Sequence, residues 1–382
     1  MLPVTYAEMS CGITSLFTKV TRPPTATVGK APFGRGKAIQ ARYNLGGVSS
    51  GRLMSTFRAY RVANDNGTPL GRVVDITLDE LSAGDVVIAA EYSSVNFKDM
   101  RVATGTFRAP IRFPRIPGID VAGIVAESRD ARFRAGDRVL VTGYDLGVGH
   151  DGGYAGYVRV PGDWVVPVPE AFTTFEAMAL GTAGFTAALA IIELERNGLH
   201  RSNGHVVVTG ATGGVGSIGI DCLHRLAYRV TAVTRKPGEG DYLRRLGAAD
   251  VIAPGDLERG DGPVGPATWA GALDPVGGPV LAALTRTMAY GGAIANCGLT
   301  GGTELNLTVL PFILRGVKLL GIDSVQCPMA MRLEVWRRLA TDMKPAHLGA
   351  IAREITLDQL DETFAALEKG TFRGRAVVRL GA

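Results

Sequence analysis

A glycine-rich turn between a buried strand and a helix is the first feature of this sequence that can do chemistry. The segment VVVTGATGGVGSIGI, residues 206–220, has glycines at positions 210, 213, 214 and 216 directly after an apolar run. Glycines let the backbone approach a diphosphate without a Cβ clash, and free N–H groups at the following helix start face the anion. The order of glycines departs from the usual Gly-x-Gly-x-x-Gly. Its place inside a βαβ unit nevertheless predicts a dinucleotide site, with the helix beginning near Val215.

The end of the next strand indicates which dinucleotide binds. Folds that bind NAD usually place Asp or Glu there to hold the ribose 2′-hydroxyl. Here RVTAVTRK ends in Thr234, Arg235 and Lys236, and the first acid after them is Glu239. A hydroxyl and two cations attract a 2′-phosphate, and Arg binds phosphate through two hydrogen bonds. The sequence therefore predicts NADPH, with a solvated basic turn as the alternative.

The elements that must position these residues change in type along the chain. Residues 55–170 contain many short strands broken by Gly, Pro and Asp, which is typical of a β-rich domain. From about Thr173, helical and strand segments alternate, which predicts a doubly wound parallel sheet. After about Val325, MRLEVWRRLATDM and LDQLDETFAALEKG predict amphipathic helices. The final segment GRAVVRL predicts a closing strand that returns to the first domain.

Composition excludes several classes of protein. A hydrophobic share of 46% and a charged share of 20% describe a globular α/β protein with a substantial core. The net charge of +5 comes from the first 53 residues, so the remainder predicts no nucleic-acid surface. Cysteines at 11, 222, 297 and 327 form no CxxC pair, which indicates a reducing compartment without a zinc lobe. The apolar run Ala177–Ile192 is too short and too rich in small residues for a membrane span, so we expect a cytoplasmic protein.

Residues 1–53 form an N-terminal extension with three interpretations: an upstream false start, a targeting peptide or a disordered arm. The segment is rich in Lys and Arg and has one acid, Glu8, as transit peptides often do. Pro23, Pro24 and scattered glycines make a poor amphipathic helix, however. We therefore favour a false start or a dispensable arm, with Met54 as the natural start, over organelle targeting.

One set of motifs runs in order from about Thr56 to Leu380: SSVNFKDM, PGIDVAG, GDRVLVTGYDLGVGHDGGYAGY, GTAGFTA, VTGATGGVGS, YLRRLGA, CGLTGG and PFILRGVKLLGIDSV. Together they resemble the acrylyl-CoA reductase branch of the zinc-free medium-chain dehydrogenase/reductase superfamily. The resemblance implies a GroES-like catalytic domain at 54–172 and 328–382 and a Rossmann domain at 173–327. It also implies NADPH as hydride donor, reduction of acryloyl-CoA to propanoyl-CoA, and a homodimer.

The zinc ligands of related dehydrogenases can be tested against these motifs. Zinc-dependent relatives carry a Cys near the SSVNFKD position and a His in a Gly-His-Glu motif. Here the first segment has Ser94, Val95 and Asn96, and the second reads Gly118, Ile119 and Asp120. Neither segment offers a thiolate or an imidazole, so we expect no metal.

The resemblance also implies site residues. Asn96 matches an active-site asparagine near the nicotinamide, Phe97 is the aromatic residue beside it, and Lys98 and Asp99 complete the motif. The alternative is an ordinary turn in which Asp99 caps a helix. Cofactor contacts are implied at the domain junction for Thr182; at the diphosphate for Thr212, Gly213, Gly214, Val215, Gly216 and Ser217; at the adenosine phosphate for Thr234, Arg235, Lys236, Tyr242 and Arg245; and on the nicotinamide side for Cys297, Gly298, Leu299, Ile322 and Ser324. Arg373 and Arg375 either close on the cofactor or form a surface pair.

The proton donor is left open by the sequence. Hydride attack on an enoyl thioester puts charge on the thioester oxygen, and the α-carbon then takes a proton. Some related reductases use a tyrosine about ten residues beyond the asparagine, where this chain has Thr106 and Phe107. The candidates that remain are Lys98, Tyr144, His150 and water. Cys297 is expected to be a packed thiol rather than a nucleophile.

Two alternative functions remain. A quinone or other enone reductase would use the same fold and cofactor, because both reactions need an electron-poor double bond. A binding protein that keeps NADPH without turnover belongs to another class, and the intact Asn96 segment argues against it. In every case the expected ligands are NADPH and a small molecule, either an acyl-CoA thioester or an enone.

Overall fold

The computed structural model describes residues 56–257 and 262–381, so the predicted extension at 1–53 lies outside the described residues. Its strands are β1 (Phe57–Asp65), β2 (Thr68–Ile76), β3 (Val86–Ser94), β4 (Asp120–Ser128), β5 (Arg138–Thr142), β6 (Tyr157–Val160), β7 (Val166–Pro167), β8 (His205–Val208), β9 (Arg229–Val233), β10 (Ala248–Ile252), β11 (Trp269–Asp274), β12 (Met288–Asn296), β13 (Lys318–Gly321), β14 (Ala352–Ile355) and β15 (Arg375–Arg379). Its α-helices are α1 (Phe97–Ala103), α2 (Thr174–Arg196), α3 (Gly214–Arg225), α4 (Gly240–Arg245), α5 (Gly278–Thr287), α6 (Leu310–Arg315), α7 (Met329–Ala340), α8 (Leu348–Ile351) and α9 (Leu360–Glu368).

The β-rich part is built on one sheet with the strand order β14-β15-β3-β4-β5-β7, and β1 and β2 form a separate antiparallel hairpin. β3 lies at the centre and pairs with β4, β6 and β15. Its apolar sequence VVIAA supplies residues that pack on both faces, as a central strand requires. The segment that follows Ser94 is therefore held by three neighbouring strands.

The second sheet is parallel and has the order β10-β9-β8-β11-β12-β13. Short, buried, Val- and Ala-rich strands such as β8 (HVVV) and β11 (WAGALD) are typical of a sheet covered on both faces. This is the doubly wound order of a Rossmann fold, as the alternating pattern predicted. The order reverses between β8 and β11, where such folds bind ligands at the carboxyl ends of the strands.

The closing strand β15 returns to the first sheet, as predicted. It pairs antiparallel with β3, with Val377 opposite Ser94 and Val378 opposite Ser93. The residue just before it, Gly374, forms a bridge with Gly213 in the glycine-rich turn, and the Gly374 N–H donates to the carbonyl of Thr212 at 2.9 Å. The chain segment that leads into β15 therefore touches both sheets.

Helix α2 is the central helix of the core and is broken once. It begins with a capping box, in which Thr173 and Glu176 bond each other's backbone N–H groups. At Gly181 the backbone has φ 48° and ψ −151°, and a Cβ there would lie 2.5 Å from Asp120 Oδ2, so both the conformation and the space require glycine. The helix is longer than the predicted apolar run, and it has the length and mean hydropathy (1.7) of a membrane span. Of its apolar window, however, 89% is buried inside the protein.

Candidate active site

The glycine-rich turn forms a cradle that side chains would fill. It follows β8, and Gly210 adopts a left-handed φ of 52°. A Cβ on Gly216 would lie 2.5 Å from the carbonyl oxygen of Gly210, so the first turn of α3 packs directly on the loop. The helix begins at Gly214 with Gly213 as its N-cap, one residue earlier than expected from the sequence. The N–H groups of this first turn have no acceptor within the helix, so the loop fits a diphosphate.

One residue of this turn faces inward. The hydroxyl of Ser217 donates to the carbonyl of Ala211 at 3.1 Å and accepts from the hydroxyl of Tyr242 at 2.9 Å. Ser217 is fully buried, so its side chain braces the turn from behind rather than facing a ligand. Among the predicted diphosphate residues at 212–217, Gly213, Gly214 and Val215 are only partly buried, and they remain the candidates for contact with a diphosphate, together with Thr212.

A basic corner lies beyond the end of β9. The backbone N–H of Lys236 donates to Thr234 Oγ1 at 3.1 Å, so the hydroxyl orients the turn. Arg235 is exposed, and Lys236 donates through Nζ to the carbonyl of Phe372 at 2.8 Å. Burial lowers the pKa of Lys236, and the neighbouring Arg235 and Arg373 cations lower it further. Arg235 and Lys236, the two cations predicted to bind a 2′-phosphate, therefore lie in one corner, and Arg373 of the C-terminal segment lies close to them.

The two predicted residues of α4 differ in placement. The Tyr242 ring is buried beneath the guanidinium of Arg373, whose carbon lies 4.6 Å from the ring centroid. Arg245 is exposed in the last turn of α4, and none of the described contacts of the corner includes it. The structure thus brings Tyr242 into the corner and leaves Arg245 outside the set of contacts.

Asn96 is buried, and both ends of its amide form hydrogen bonds within the protein. It is the N-cap of α1, and its backbone N–H donates to Asp99 Oδ2 at 2.8 Å. Its Nδ2 donates to Asp120 Oδ2 at 2.8 Å and to Asp99 at 3.2 Å, while Oδ1 accepts from Arg375 Nη1 at 3.0 Å. The protein itself therefore holds this amide, and its expected position near the nicotinamide stays a prediction. The capping interpretation is closer, with Asn96 rather than Asp99 as the cap.

Arg375 lies at the centre of this network. Its guanidinium donates to the carbonyl of Val95 at 2.8 Å and to Ser94 Oγ at 2.6 Å, and it lies 3.6 Å from Asp120 Oδ2. It is only 3% exposed, so the alternative of a surface pair is wrong. A Cβ on Gly214 would lie 2.6 Å from Arg375 Cδ, which places the arginine stem against the glycine-rich turn. Its hydrogen bonds go to the protein rather than outward.

Asp120 belongs to the Gly118–Asp120 segment that was compared with the zinc-binding motif, and it collects several hydrogen bonds. Ser94 Oγ donates to it at 2.6 Å, and Thr182 donates through both its N–H (2.9 Å) and its hydroxyl (2.5 Å). Thr182 follows the break in α2, so it lies at the predicted domain junction. Ile119, beside Asp120, is buried. Residues 56–257 and 262–381 contain no group of three or more His, Cys, Asp or Glu that could hold a metal, and the metal-free site stays a prediction.

A groove of about 630 Å³ opens at the carboxyl ends of β11, β12 and β13. The predicted nicotinamide-side residues Cys297, Gly298, Leu299 and Ile322 all line it, as do Asp323 and, from the catalytic part, Arg108. Ser324 follows directly, and its carbonyl accepts from Arg332. Burial raises the pKa of the Cys297 thiol to about 12, so the thiol stays protonated and is no nucleophile, as expected.

The three candidate proton donors have different surroundings. Lys98 is half-buried, burial lowers its pKa, and the carboxylates of Asp99 and Asp323 oppose that shift. Within the described residues its ammonium makes no hydrogen bond or ion pair. The Tyr144 ring stacks on the Trp164 ring, with centroids 5.4 Å apart. The guanidinium carbon of Arg332 lies 4.4 Å from the centroid of the Tyr144 ring. Phe97, the aromatic residue beside Asn96, has no proton to donate. Its ring centroid lies 6.0 Å from the guanidinium carbon of Arg101, and the ring packs against the neighbouring hydrophobic cluster.

His150 is not placed as a proton donor. Its Nδ1 lies 2.9 Å from the carbonyl of Asp151 and its Nε2 lies 2.9 Å from the carbonyl of Ala83. Its ring packs edge-on against Trp164 at 5.2 Å. Because backbone carbonyls engage both nitrogens, the structure argues against the predicted catalytic role.

The sequence analysis missed the partners that complete this site. Asp120 was considered only as a missing zinc ligand, whereas it receives hydrogen bonds from Ser94, Asn96 and Thr182. Arg332 was one arginine of an amphipathic helix, yet it is fully buried between the Tyr144 and Phe185 rings. The available signal was the helical spacing of Arg332, which puts it on the same face of α7 as the apolar residues Val335, Trp336 and Leu339.

Comparison with known proteins gives a consistent picture. The alcohol dehydrogenase GroES-like domain family model matches residues 82–170, and the zinc-binding dehydrogenase family model matches residues 214–341. The acrylyl-CoA reductase AcuI of Ruegeria pomeroyi is 45% identical over 320 residues, which cover 83% of this chain and 97% of that protein.

Two solved structures are similar over the same region. The yhdH oxidoreductase from Salmonella enterica in complex with NADP superposes with a TM-score of 0.82 at 42% identity, covering 84% of this chain and 99% of that one. Bacillus subtilis protein yhfP with NAD bound superposes with a TM-score of 0.83 at 44% identity, covering 85% of this chain and 100% of that one.

Proposed function

Because this chain belongs to the medium-chain dehydrogenase/reductase superfamily, in its acrylyl-CoA reductase branch, we propose that it uses NADPH to reduce acryloyl-CoA to propanoyl-CoA. The observation that carries the proposal is 45% identity to an acrylyl-CoA reductase along 97% of that protein's length. The basic corner at Thr234, Arg235 and Lys236 supports the choice of NADPH, because a 2′-phosphate would neutralise charges that repel one another there.

NADPH, when bound, supplies a hydride to the β-carbon of the substrate. The proposed diphosphate contacts are Thr212, Gly213, Gly214 and Val215. On the nicotinamide side, the residues that line the groove are Cys297, Gly298, Leu299 and Ile322, with Ser324 beside it. The neighbouring wall is built around Asp120, and hydrogen bonds from Asn96, Ser94 and Thr182 reach that carboxylate while Arg375 bonds to Ser94. These bonds favour a preorganised site.

We assign proton delivery to Lys98. The thioester oxygen gains charge as the β-carbon accepts the hydride, and the α-carbon then takes a proton from the Lys98 ammonium. A lowered pKa makes the ammonium a better acid, and the absence of a hydrogen-bonding partner among the described residues leaves its protons available. The carboxylate of Asp323, which lines the groove, interacts electrostatically with the Lys98 ammonium, and this supports the assignment.

The experiment that tests the function is a steady-state assay of NADPH oxidation with acryloyl-CoA, crotonyl-CoA and a small quinone. A value of kcat/KM for acryloyl-CoA well above that for the quinone supports the proposal. The opposite order supports the alternative, a quinone or enone reductase with the same cofactor. Quenching of NADPH fluorescence on binding, without oxidation by any substrate, would instead indicate a non-catalytic binding protein.

We further propose a homodimer that forms through β13. This strand is the edge of the parallel sheet, and beside it several apolar side chains are exposed, namely Tyr290, Val309, Ile313, Leu314 and Leu319. An open strand edge with an apolar flank is a surface that a second copy covers well. The variant Ile313→Glu should sediment as a monomer in analytical ultracentrifugation, whereas an unchanged dimer would place the interface elsewhere.

The division into residues 54–172 with 328–382 and residues 173–327 is part of the proposal, as is a cytoplasmic location. The extension at 1–53 is proposed to be dispensable, because both family models match later residues. A protein that starts at Met54 should keep the kcat and KM of the full chain. A marked loss of activity would show that the extension contributes.

A further inference from the structure

A third cation reaches the basic corner from the opposite end of the chain. Arg373 lies between α9 and β15, and its Nη1 forms an ion pair with Glu239 Oε2 at 3.0 Å. Its guanidinium carbon lies 4.6 Å from the centroid of the Tyr242 ring, so it stacks over that ring. Glu239 and Tyr242 belong to the segment that directly follows the predicted phosphate-binding turn.

Two backbone contacts hold Arg373 in this place. The Lys236 ammonium donates to the carbonyl of Phe372 at 2.8 Å, just before the arginine. The Gly374 N–H donates to the carbonyl of Thr212 at 2.9 Å, just after it. The arginine is therefore fixed on both sides to the two loops that the cofactor phosphates are expected to contact.

The corner carries an excess of positive charge. Arg235, Lys236 and Arg373 interact closely enough that both arginines depress the pKa of Lys236, and among the described residues it is the carboxylate of Glu239 that opposes them. Arg235 lies beside the same C-terminal segment, because a Cβ on Gly370 would be 3.9 Å from its Nη2. Three cations with one counterion form a site for a dianion such as a phosphate monoester.

We infer that Arg373 is a ligand of the 2′-phosphate of NADPH and a residue that determines cofactor specificity. This inference rests on the proposed cofactor. The side chain is half exposed (50%), so a phosphate can reach it without unfolding the segment. On binding, the guanidinium exchanges the Glu239 carboxylate for phosphate oxygens and keeps its stack on Tyr242, which leaves little side-chain freedom to be lost.

The test is isothermal titration calorimetry with 2′,5′-ADP, which carries the 2′-phosphate, and 5′-AMP, which does not. Arg373→Ala should weaken 2′,5′-ADP binding about tenfold and change 5′-AMP binding less than about twofold. The affinity of Arg373→Lys for 2′,5′-ADP should fall between those of the wild type and Arg373→Ala, because lysine keeps the charge but lacks the planar guanidinium that stacks on Tyr242. The matched control is Arg379→Ala, since Arg379 also forms a 3.0 Å ion pair, with Glu354, and is 52% exposed.

A second variant gives a change of opposite sign. Glu239→Gln removes the carboxylate that competes for Arg373, so 2′,5′-ADP should bind about threefold more tightly. Equal losses for both nucleotides in Arg373→Ala, or no loss at all, would overturn the inference. A wild-type protein that binds 2′,5′-ADP no better than 5′-AMP would overturn the proposed cofactor itself, which keeps the two failures apart.

Discussion

The Nη1 atom of Arg375 donates a 3.0 Å hydrogen bond to Oδ1 of Asn96, although 279 residues separate the two in the sequence. The same guanidinium lies 3.6 Å from the carboxylate of Asp120, and both charged side chains are buried. Burial lowers the pKa of Arg375, and the carboxylates of Asp120 and Asp99 oppose the shift. The Asn96 segment is therefore held by a charge pair that water does not screen.

Removing the Arg375 cation should lower the free energy of unfolding. Arg375→Met leaves Asp120 and Asp99 buried without their cation, and breaking a buried pair in this way costs about 3–5 kcal/mol. We expect a loss of that size in the free energy of unfolding, measured by urea denaturation, with a smaller loss for Arg375→Lys. A change below about 1 kcal/mol would show that the pair contributes no more than a surface contact.

The acid form of Lys98 should be visible in the pH dependence of kcat. Burial places the pKa of Lys98 below 10.5, so the donor loses its proton as the pH rises through that lowered value. We expect kcat to decline on the basic side, and Lys98→Met to reduce kcat about 100-fold at neutral pH, as loss of a general acid does.

Tyr144→Phe serves as the comparison for Lys98. It keeps the stack between Trp164 and Arg332, so its kcat should stay within about twofold of wild type. A 100-fold loss in Tyr144→Phe, with a small loss in Lys98→Met, would transfer the role of proton donor to the tyrosine.

Asp99 should make stability depend on pH. Burial, and then the neighbouring Asp120, raises its pKa from 3.8 to about 6. Between pH 3.8 and about pH 6 the folded protein keeps a proton on Asp99 that the unfolded chain has lost. The stabilisation that this proton gives is therefore complete below about pH 4 and disappears as the pH rises through about 6. The corresponding change in the free energy of unfolding is about 3 kcal/mol.

The comparison with Asp99→Asn isolates this group from other carboxylates. The difference in unfolding free energy between wild type and Asp99→Asn should fall by about 3 kcal/mol between roughly pH 4 and pH 7. Chemical denaturation at several pH values measures it. A constant difference over this range would mean that Asp99 is already ionised at the acid end.

Gly216 should be irreplaceable even by alanine. Its Cβ would lie 2.5 Å from the carbonyl oxygen of Gly210 and 2.8 Å from the Cα of Ala211, and neither backbone atom can move without opening the turn. We expect Gly216→Ala to weaken NADPH binding at least about tenfold in a fluorescence titration. Gly349→Ala is the control, because no atom lies within 4 Å of a Cβ at that position. Wild-type affinity in Gly216→Ala would contradict the geometry of the turn.

The sequence carried the local features of this fold well. The turn after β8, the alternation that produces the parallel sheet, and the strand GRAVVRL are each encoded by a continuous segment with its own periodicity or glycine pattern. The predicted return of that strand to the first sheet is confirmed by its pairing with β3.

The contacts inside the site could not be read in the same way. Whether the Asn96 amide faces a ligand or the protein depends on Arg375 and Asp120, which are distant in the chain and lack a local pattern. His150 is an ordinary residue of a glycine-rich loop until the carbonyl of Ala83, on another segment, comes to lie beside its ring. Such pairings are decided by tertiary packing rather than by propensity.

The position of β15 in the chain has a consequence for how the protein is made. All six strands of the parallel sheet are complete at Gly321, whereas the catalytic sheet receives β15 and its arginine only after them. During translation the six strands of the parallel sheet therefore leave the ribosome before the segment that carries Gly374 and Arg375. The glycine-rich turn then waits for its last backbone partner, the Gly374 N–H, until the end of the chain has been made.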